Sequence, residues 1–394
     1  MPSQVVVIGG CGHVGLPLAV ALADKGSKVY SLDIDEEKIA KVNSGQMPFI
    51  EDGAEPILQR VLANKNFLAT SDKSVITSSE FVIVVVGTPV DEHLNPDPEA
   101  IVRSFAEWKD FFAPGQLIIL RSTVFPGVTS RVEKWVSENA PGVSVAFCPE
   151  RIAEGKAMTE LYSLPQIIGS RDAGSDERAT KLFRSLTEST ISVTPEEAEL
   201  AKLFTNVWRY IKFAAVNQFF MMSNDYGVDF EKVRSALAFD YPRAADMPSA
   251  GFAAGPCLFK DTMQLGAFSN NTFALGHSAM LVNEGLPLYV VEQIKEKYDL
   301  SNMTVGILGM AFKADVDDER SSLSYKLRRI LLFNAKEVLC SDPFVNDARM
   351  VSVEELAAKC DIIVVGTPHN EYRSLKFEQP VIDIWNLHGE GVLL

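Results

Sequence analysis

Short, uninterrupted apolar runs open the chain and return near its end, with helical periodicities between them. In the first half the runs are QVVVIG (4–9), KVYSLD (28–33), FVIVVVG (81–87), QLIILRS (116–122) and VSVAFCP (143–149). A strand with one wet face alternates apolar and polar residues, so continuous runs predict strands buried on both faces of a parallel sheet. Helical stretches such as 15–25 and 97–112 separate them, the βαβ rhythm of a doubly wound domain. From Glu196 the texture changes. EEAELAKLFTNVWRYIKFAAVNQFFMMSNDYG (196–227) follows Thr194-Pro195, keeps a helical period and stops at Gly227. Its length, and apolar residues on more than one side, predict a central helix packed between domains or at a subunit interface. A second helical tract covers roughly 275–298. MTVGILG (303–309), EVLCSD (337–342), CDIIVVGTP (360–368) and PVIDIW (380–385) then restore the strand texture, and FVIVVVGTP echoes DIIVVGTP. The expected fold is α/β: two Rossmann-like doubly wound domains, 1–195 and 301–394, joined by a helical central domain, 196–300.

Composition narrows the chemistry. A formal charge of −15 argues against nucleic acid or an anionic membrane as partner, so an anionic ligand needs a local group of Lys and Arg. Five cysteines without a CxxC pair read as reduced thiols of a cytoplasmic protein rather than a disulfide framework or zinc site. No signal peptide and no membrane span are expected from the sequence. The histidines (His13, His93, His277, His369, His388) show no metal-ligand spacing, no metal is expected, and none of them is given a catalytic role.

After the first run comes GCGHVG, with Gly10, Gly12 and Gly15 in the G-x-G-x-x-G spacing and His13 and Val14 inside it. Such glycines permit a tight turn, close approach of a pyrophosphate, and close helix packing. Asp33 stands at the end of the next strand, 21 residues beyond Gly12. A carboxylate there accepts from a ribose and repels a 2′-phosphate, which selects NAD over NADP. Elsewhere, RSTVFPG (121–127) offers the hydroxyls of Ser122 and Thr123, and PERIAEG (149–155) offers Glu150, Arg151 and Glu154. Lys202 and Asn206 stand at i, i+4 on the long helix. GFAAGPCLFKDT (251–262) sets Cys257 after small residues and before Lys260 and Asp261, either an ordinary turn into a helix or a seat of covalent chemistry.

Taken in order, the glycine loop, VGTP (86–89), STV (122–124), PE…EG (149–155), ELAKLFTNVWR (199–209), GPCLFKDT (255–262) and GMAFKADVDDERSS (309–322) resemble the UDP-glucose/GDP-mannose dehydrogenase family over nearly the whole chain. The resemblance implies oxidation of a sugar C6 hydroxymethyl to a carboxylate in two hydride transfers to NAD without release of the aldehyde. It implies Cys257 as the nucleophile that forms a thiohemiacetal and then a thioester, which water hydrolyses. Lys202 and Asn206 would stabilise oxyanions, Asp261 with a water near Thr123 would handle the first proton, and Glu154 would assist hydrolysis. Thr88, Ser122, Lys260 and Arg320 join the glycine loop as cofactor residues. Glu150, Arg151, Arg243, Phe252, Gly255 and Lys313 are expected at the UDP-sugar, and the long helix is expected to form a homodimer. The residues bear blander readings as well: Glu150 and Glu154 as surface caps, and 315–318 as a solvated acidic loop.

The chain departs from the usual UDP-glucose pattern at Ala254-Gly255-Pro256-Cys257-Leu258-Phe259, at His13 and in GQMPFIEDGAE (45–55). UDP-glucose and an N-acetylated UDP-hexose therefore stay open, as does UDP against GDP. Two other classes compete. A two-electron β-hydroxyacid dehydrogenase has no need of Cys257 or of segment 303–385, and a non-catalytic nucleotide-sugar or NAD-binding protein needs no complete set of nucleophile and bases.

Overall fold

In the computed structural model, which describes residues 3–87, 97–392 and 394, the chain forms two compact units, Met1–Thr205 and Asn206–Leu394. The first is built on an eight-stranded sheet of β1 (Gln4–Ile8), β2 (Lys28–Leu32), β3 (Phe67–Thr70), β4 (Phe81–Val84), β5 (Leu117–Leu120), β6 (Ser144–Phe147), β7 (Gln166–Ser170) and β8 (Thr190–Val193). Their order is β3-β2-β1-β4-β5-β6-β7-β8. Every pairing is parallel except β6 with β7, which is antiparallel. The apolar runs have the expected cause. Val5, Val7, Phe81 and Ile83 enter the core on one face, and Val6, Ile8, Val82 and Val84 enter the core on the other. Two expectations change. The last three strands of this sheet include a reversed pair, and 97–112 is not one helix but Glu99–Phe105 followed by a 3₁₀ turn at Lys109–Phe111.

The second unit carries a four-stranded parallel sheet of β9 (Thr304–Leu308), β10 (Glu337–Ser341), β11 (Ile362–Val365) and β12 (Val381–Ile382), ordered β10-β9-β11-β12. Around it lie helices Phe230–Ala238, Leu258–Phe268, Ala274–Lys297, Leu323–Leu331 and Val353–Lys359. Among the described residues no helix is long and apolar enough to cross a membrane.

The long helix spans Pro195–Asp225. Its start is a capping box: Glu197 Oε2 accepts from the Thr194 amide (2.7 Å) and hydroxyl (2.9 Å), while the Glu197 amide donates back to Thr194 Oγ1 (3.3 Å). Gly227, at φ +77°, ends it. Glu199, Asn206, Asn217 and Asn224 are all buried. At 100° per residue they fall on a single stripe. Each is met by hydrogen bonds: Glu199 by Gly127 N (2.7 Å), Thr129 N (2.8 Å) and Thr129 Oγ1 (2.6 Å), and Asn206 by Asp261. Asn217 clamps the amide and carbonyl of Gly251 at 3.0 Å each and donates to Asn283 Oδ1. Asn224 donates to Tyr289 and Gln293 and accepts from Leu394 N.

Replacing Asn217 strands Gly251 and Asn283 inside the protein. Asn217→Leu is expected to lower unfolding stability by about 3 kcal/mol, against roughly 0.5 kcal/mol or less for the exposed neighbour Gln218→Ala. Chemical denaturation of both variants checks this, and equal midpoints would remove the stripe from the account of stability.

Candidate active site

In the first unit the strand order reverses between β1 and β4, and the glycine turn leaves the carboxyl end of β1 there. Gly9 N and Gly10 N donate to Leu32 O at 2.9 and 3.1 Å, and Cys11 N donates to Asp33 Oδ2 at 2.8 Å. Asp33 Oδ1 in turn accepts from Ile34 N and Asp35 N. His13 stacks on Phe49 with ring centres 4.0 Å apart, and its Nδ1 lies 3.0 Å from Glu154 Oε1.

Two residues that sequence reasoning passed over hold the Glu154 loop. Glu51, buried, accepts from Gly155 N (3.1 Å) and Ala157 N (2.7 Å), and burial pushes its carboxyl above the usual range. Arg121, also buried, pairs with Glu150 and donates to Cys148 O (3.1 Å) and Gln166 Oε1 (2.9 Å). Glu150 Oε1 further accepts from Arg151 N and Ile152 N. Both oxygens of Glu150 are therefore engaged, one by Arg121 and one by loop amides, and Arg151 donates to Pro165 O. Ser122 donates to Val86 O at 2.6 Å, whereas Thr88 lies outside the described residues. A signal for Glu51 and Arg121 did exist, since a charged residue inside an apolar stretch must find a partner when buried.

In the second unit Cys257 is exposed at the head of helix Leu258–Phe268, where unsatisfied amides favour negative charge. One turn on, Asp261 is fully buried and accepts from Asn206 Nδ2 at 2.5 Å. Lys202, one turn before Asn206 on the long helix, is 7% exposed. The other cysteines lack this setting. Burial pushes Cys11, Cys340 and Cys360 up to about 11 and Cys148 up to about 12, so all four stay protonated and inert.

Two positions in the stretch before Cys257 are glycine for a steric reason. Gly251 (φ +148°) lies against Trp385, whose ring a Cβ would approach to 2.2 Å, and Gly255 (φ +105°) lies against Phe312, at 2.6 Å. Gly255 N also donates to Ser321 O. The cysteine loop is thereby laid on the segment carrying Lys313 and Arg320. Arg320 is clamped on Asp318 at 2.6–2.9 Å. Phe252 meets Trp385 edge-on, and Arg243 lies over the Tyr241 ring and donates to its hydroxyl at 2.7 Å.

The UDP-glucose/GDP-mannose dehydrogenase family matches by its NAD binding domain at 3–187, its central domain at 196–284 and its UDP binding domain at 306–389. The UDP-N-acetyl-D-mannosamine dehydrogenase of Pyrococcus horikoshii is 31% identical over 387 residues, covering 95% of this chain and 91% of the relative. The chain belongs to the UDP-glucose/GDP-mannose dehydrogenase family. The structure of the UDP-D-ManNAc dehydrogenase from Pyrococcus horikoshii superposes with a TM-score of 0.90 at 28% identity, covering 98% of this chain and 96% of that one. A UDP-glucose dehydrogenase from Pyrobaculum islandicum gives 0.90 at 26% identity, covering 97% and 94%. The protein is an NAD-dependent UDP-sugar dehydrogenase.

The glycine turn of this dehydrogenase fits the dinucleotide. A Cβ on Gly10 would lie 2.3 Å from Ser31 Oγ, and one on Gly15 2.4 Å from Gly9 O, so the fold itself demands both glycines. A Cβ on Gly12 would meet nothing nearer than Gly9 O at 3.7 Å. The fold does not require that glycine, whereas close approach of a pyrophosphate would. Gly12→Ala is accordingly expected to keep the melting temperature of the parent while weakening NAD binding by about tenfold or more. Gly10→Ala is expected to melt early. Calorimetric titration with NAD beside thermal denaturation checks both, and unchanged NAD affinity in Gly12→Ala would place the pyrophosphate elsewhere.

Proposed function

We propose that the dehydrogenase oxidises the C6 hydroxymethyl of a UDP-N-acetylhexosamine, in the first place UDP-N-acetyl-D-mannosamine, to the uronate through a Cys257 thioester. The observation that carries the reading is the helix head: Cys257 exposed, with Asp261 one turn on, buried and held by Asn206. A dehydrogenase that stops at the aldehyde has no use for a thiol there, whereas an aldehyde must become a tetrahedral adduct before losing a second hydride. NAD, when bound, accepts one hydride in each oxidation. Asp261, with a water near Thr123, takes the alcohol proton of the first step. The Cys257 sulfur then adds to the aldehyde carbon, and Lys202 and Asn206 stabilise the oxyanion. After the second oxidation water attacks the thioester with help from Glu154, and the thiol of Cys257 leaves.

Gly10, Gly12, His13, Val14, Gly15, Asp33, Thr88, Ser122, Lys260 and Arg320 are proposed for the cofactor. Lys313, Arg243, Phe252 and Gly255 are proposed for the UDP-sugar, with Glu150 and Arg151 shaping the loop that carries Glu154. The relatives named UDP-N-acetyl-D-mannosamine dehydrogenase support the N-acetylated sugar. UDP-glucose is the second reading, favoured by the likeness to the Pyrobaculum islandicum structure. In this reading 1–195 binds NAD, 196–300 carries the thiol and the dimer contact, and 301–394 holds the nucleotide. Its thiol complement supports a cytoplasmic site of action.

A homodimer is proposed through the outer faces of two helices. Trp208, Phe219 and Met222 on the long helix are 59, 46 and 62% exposed, and Leu275, Leu281 and Leu288 on Ala274–Lys297 are 58, 69 and 50% exposed. An apolar surface of this extent marks an interface, and symmetric pairing of one patch with its copy is the commonest way to cover it.

With purified protein, two NADH are expected per UDP-N-acetyl-D-mannosamine consumed, and Cys257→Ser is expected to lose about 10³-fold or more of overall turnover. One NADH per sugar, untouched by the substitution, would reduce Cys257 to a turn residue and leave a two-electron enzyme. The double variant Met222→Asp/Leu281→Asp is expected to run as a monomer in light scattering where the parent runs as a dimer. A parent already monomeric at micromolar concentration would remove the proposed interface.

A further inference from the structure

In the second sheet the strand order reverses between β9 and β11, and the segments leaving the carboxyl ends of β9, β10 and β11 meet at that edge. The segment after β9 is GMAFKADVDDER (309–320), which carries Lys313 and Arg320. Its base is tied to Asp342 at the end of β10. Asp342 Oδ2 accepts from Met310 N (2.6 Å) and Ala311 N (2.9 Å), and Oδ1 accepts from Phe344 N (2.8 Å) and Val345 N (3.0 Å). Ala311 O accepts from Thr367 Oγ1 at the end of β11. Its apex is tied two residues beyond Thr367, at His369.

The ring of His369 is fully buried and lies edge to face against Phe344 and Tyr372. The amide of Asp315 points at its Nδ1 from 2.9 Å, so Nδ1 accepts. Nε2 lies 3.0 Å from Asp342 Oδ2, a carboxylate oxygen that only accepts, so Nε2 donates. One tautomer satisfies both contacts: the neutral ring with hydrogen on Nε2. A proton added at Nδ1 would set two donors face to face at Asp315. Asp315 itself sits at φ +60°, a backbone conformation disfavoured for a side-chain-bearing residue, and Asn370 secures it from the other side by donating its amide to Asp315 Oδ1 at 2.9 Å. Three residues of β11's exit, Thr367, His369 and Asn370, thus bind the chain on either side of Lys313.

We infer that His369 is a positioning residue: its bond to Asp342 fixes the Nε2–H tautomer, and the Nδ1 so left as acceptor holds the Asp315 amide and sets where the loop presents Lys313 to the nucleotide diphosphate. The inference rests on the reading that this loop meets the UDP-sugar, and it assigns His369 no contact with substrate. It predicts an effect on binding and not on the chemical steps, because the reacting C6 is not what the loop holds.

Three variants separate the terms, with UDP as the binding probe. His369→Gln offers an amide donor towards Asp342 but removes the acceptor at Nδ1, whereas His369→Asn keeps an oxygen near Nδ1 and removes the donor. His369→Gln is expected to weaken UDP binding about tenfold and to raise KM for the UDP-sugar by the same factor, with kcat and NAD affinity unchanged. His369→Asn is expected to retain UDP affinity to within about threefold. Lys313→Ala is expected to lose UDP affinity as well. Parent-like UDP affinity in His369→Gln, with Lys313→Ala impaired, would overturn the inference while leaving the loop's role intact. Parent-like affinity in Lys313→Ala would overturn the reading beneath it. A joint fall in UDP affinity, NAD affinity and melting temperature in both His369 variants would make His369 a packing residue and overturn the positioning role. A direct readout needs no folded variant at this position. In ¹⁵N-histidine-labelled parent protein, one ring is expected with the Nε2–H signature and a slowly exchanging proton, identified by substituting the other four histidines in turn. An imidazolium or an Nδ1–H ring at this position, at neutral pH, would overturn the inference.

Discussion

A stripe of buried polar side chains along one helix is the constraint on which the rest depends. Glu199, Asn206, Asn217 and Asn224 occupy the same side of Pro195–Asp225, where an apolar stripe is the simpler solution. Each buried amide or carboxylate left unmatched would cost about 1–3 kcal/mol, so the helix is stable only where every one finds its partners. Those partners are not generic. Asn217 selects the backbone of Gly251, at the root of the cysteine loop, and Asn206 selects Asp261. Glu199 selects the amides that open helix Val128–Asn139, just beyond Thr123. A hydrophobic stripe would pack against many neighbours in several registers. A hydrogen-bonded one accepts a single register within each unit.

The two sheets repeat a second device. At the end of the second strand a carboxylate receives amides from the turn that follows the first: Asp33 receives Cys11 N, and Asp342 receives Met310 N and Ala311 N. Burial alone would push the Asp342 carboxyl up, but the hydrogen bonds from His369 and the two amides outweigh it and bring it down to about 2. Both turns are thus held by charge-assisted bonds from within. The carboxylate proposed to meet a ribose in one sheet thus has, at the matching place in the other, a counterpart that serves as an internal brace.

Much of this was legible beforehand. Unbroken apolar runs located strands β1, β2, β4, β5 and β6 and the later set to within one to three residues at each end, because a strand buried on both faces has no polar position to spare. Thr194-Pro195 and the glycine at 227 marked the long helix almost to the residue. Strands β3, β7 and β8 were missed. All three are short; FLAT and TISV carry exposed positions, whereas QIIGS is almost wholly buried but reverses direction, which no local pattern announces. The segment 97–112 has helical composition yet breaks after Phe105, where Trp108 and Phe112 turn in to pack against Phe105.

The sequence by itself determined where the candidate chemistry stands: a glycine turn through Gly12 suited to a pyrophosphate, an acidic residue at 33, and a cysteine followed by Lys-Asp after a run of small residues. These are local, because turn geometry and nucleophile reactivity are set by a few adjacent residues. Only the tertiary structure decided what holds them. That Glu51 ties Gly155 and Ala157, that Arg121 takes up Glu150, and that His369 joins Asp342 to Asp315 are facts about residues 104, 29 and 54 positions apart. A buried polar group must be satisfied, but its sequence neighbours do not say by whom, and only the folded chain brings the partner within 3 Å.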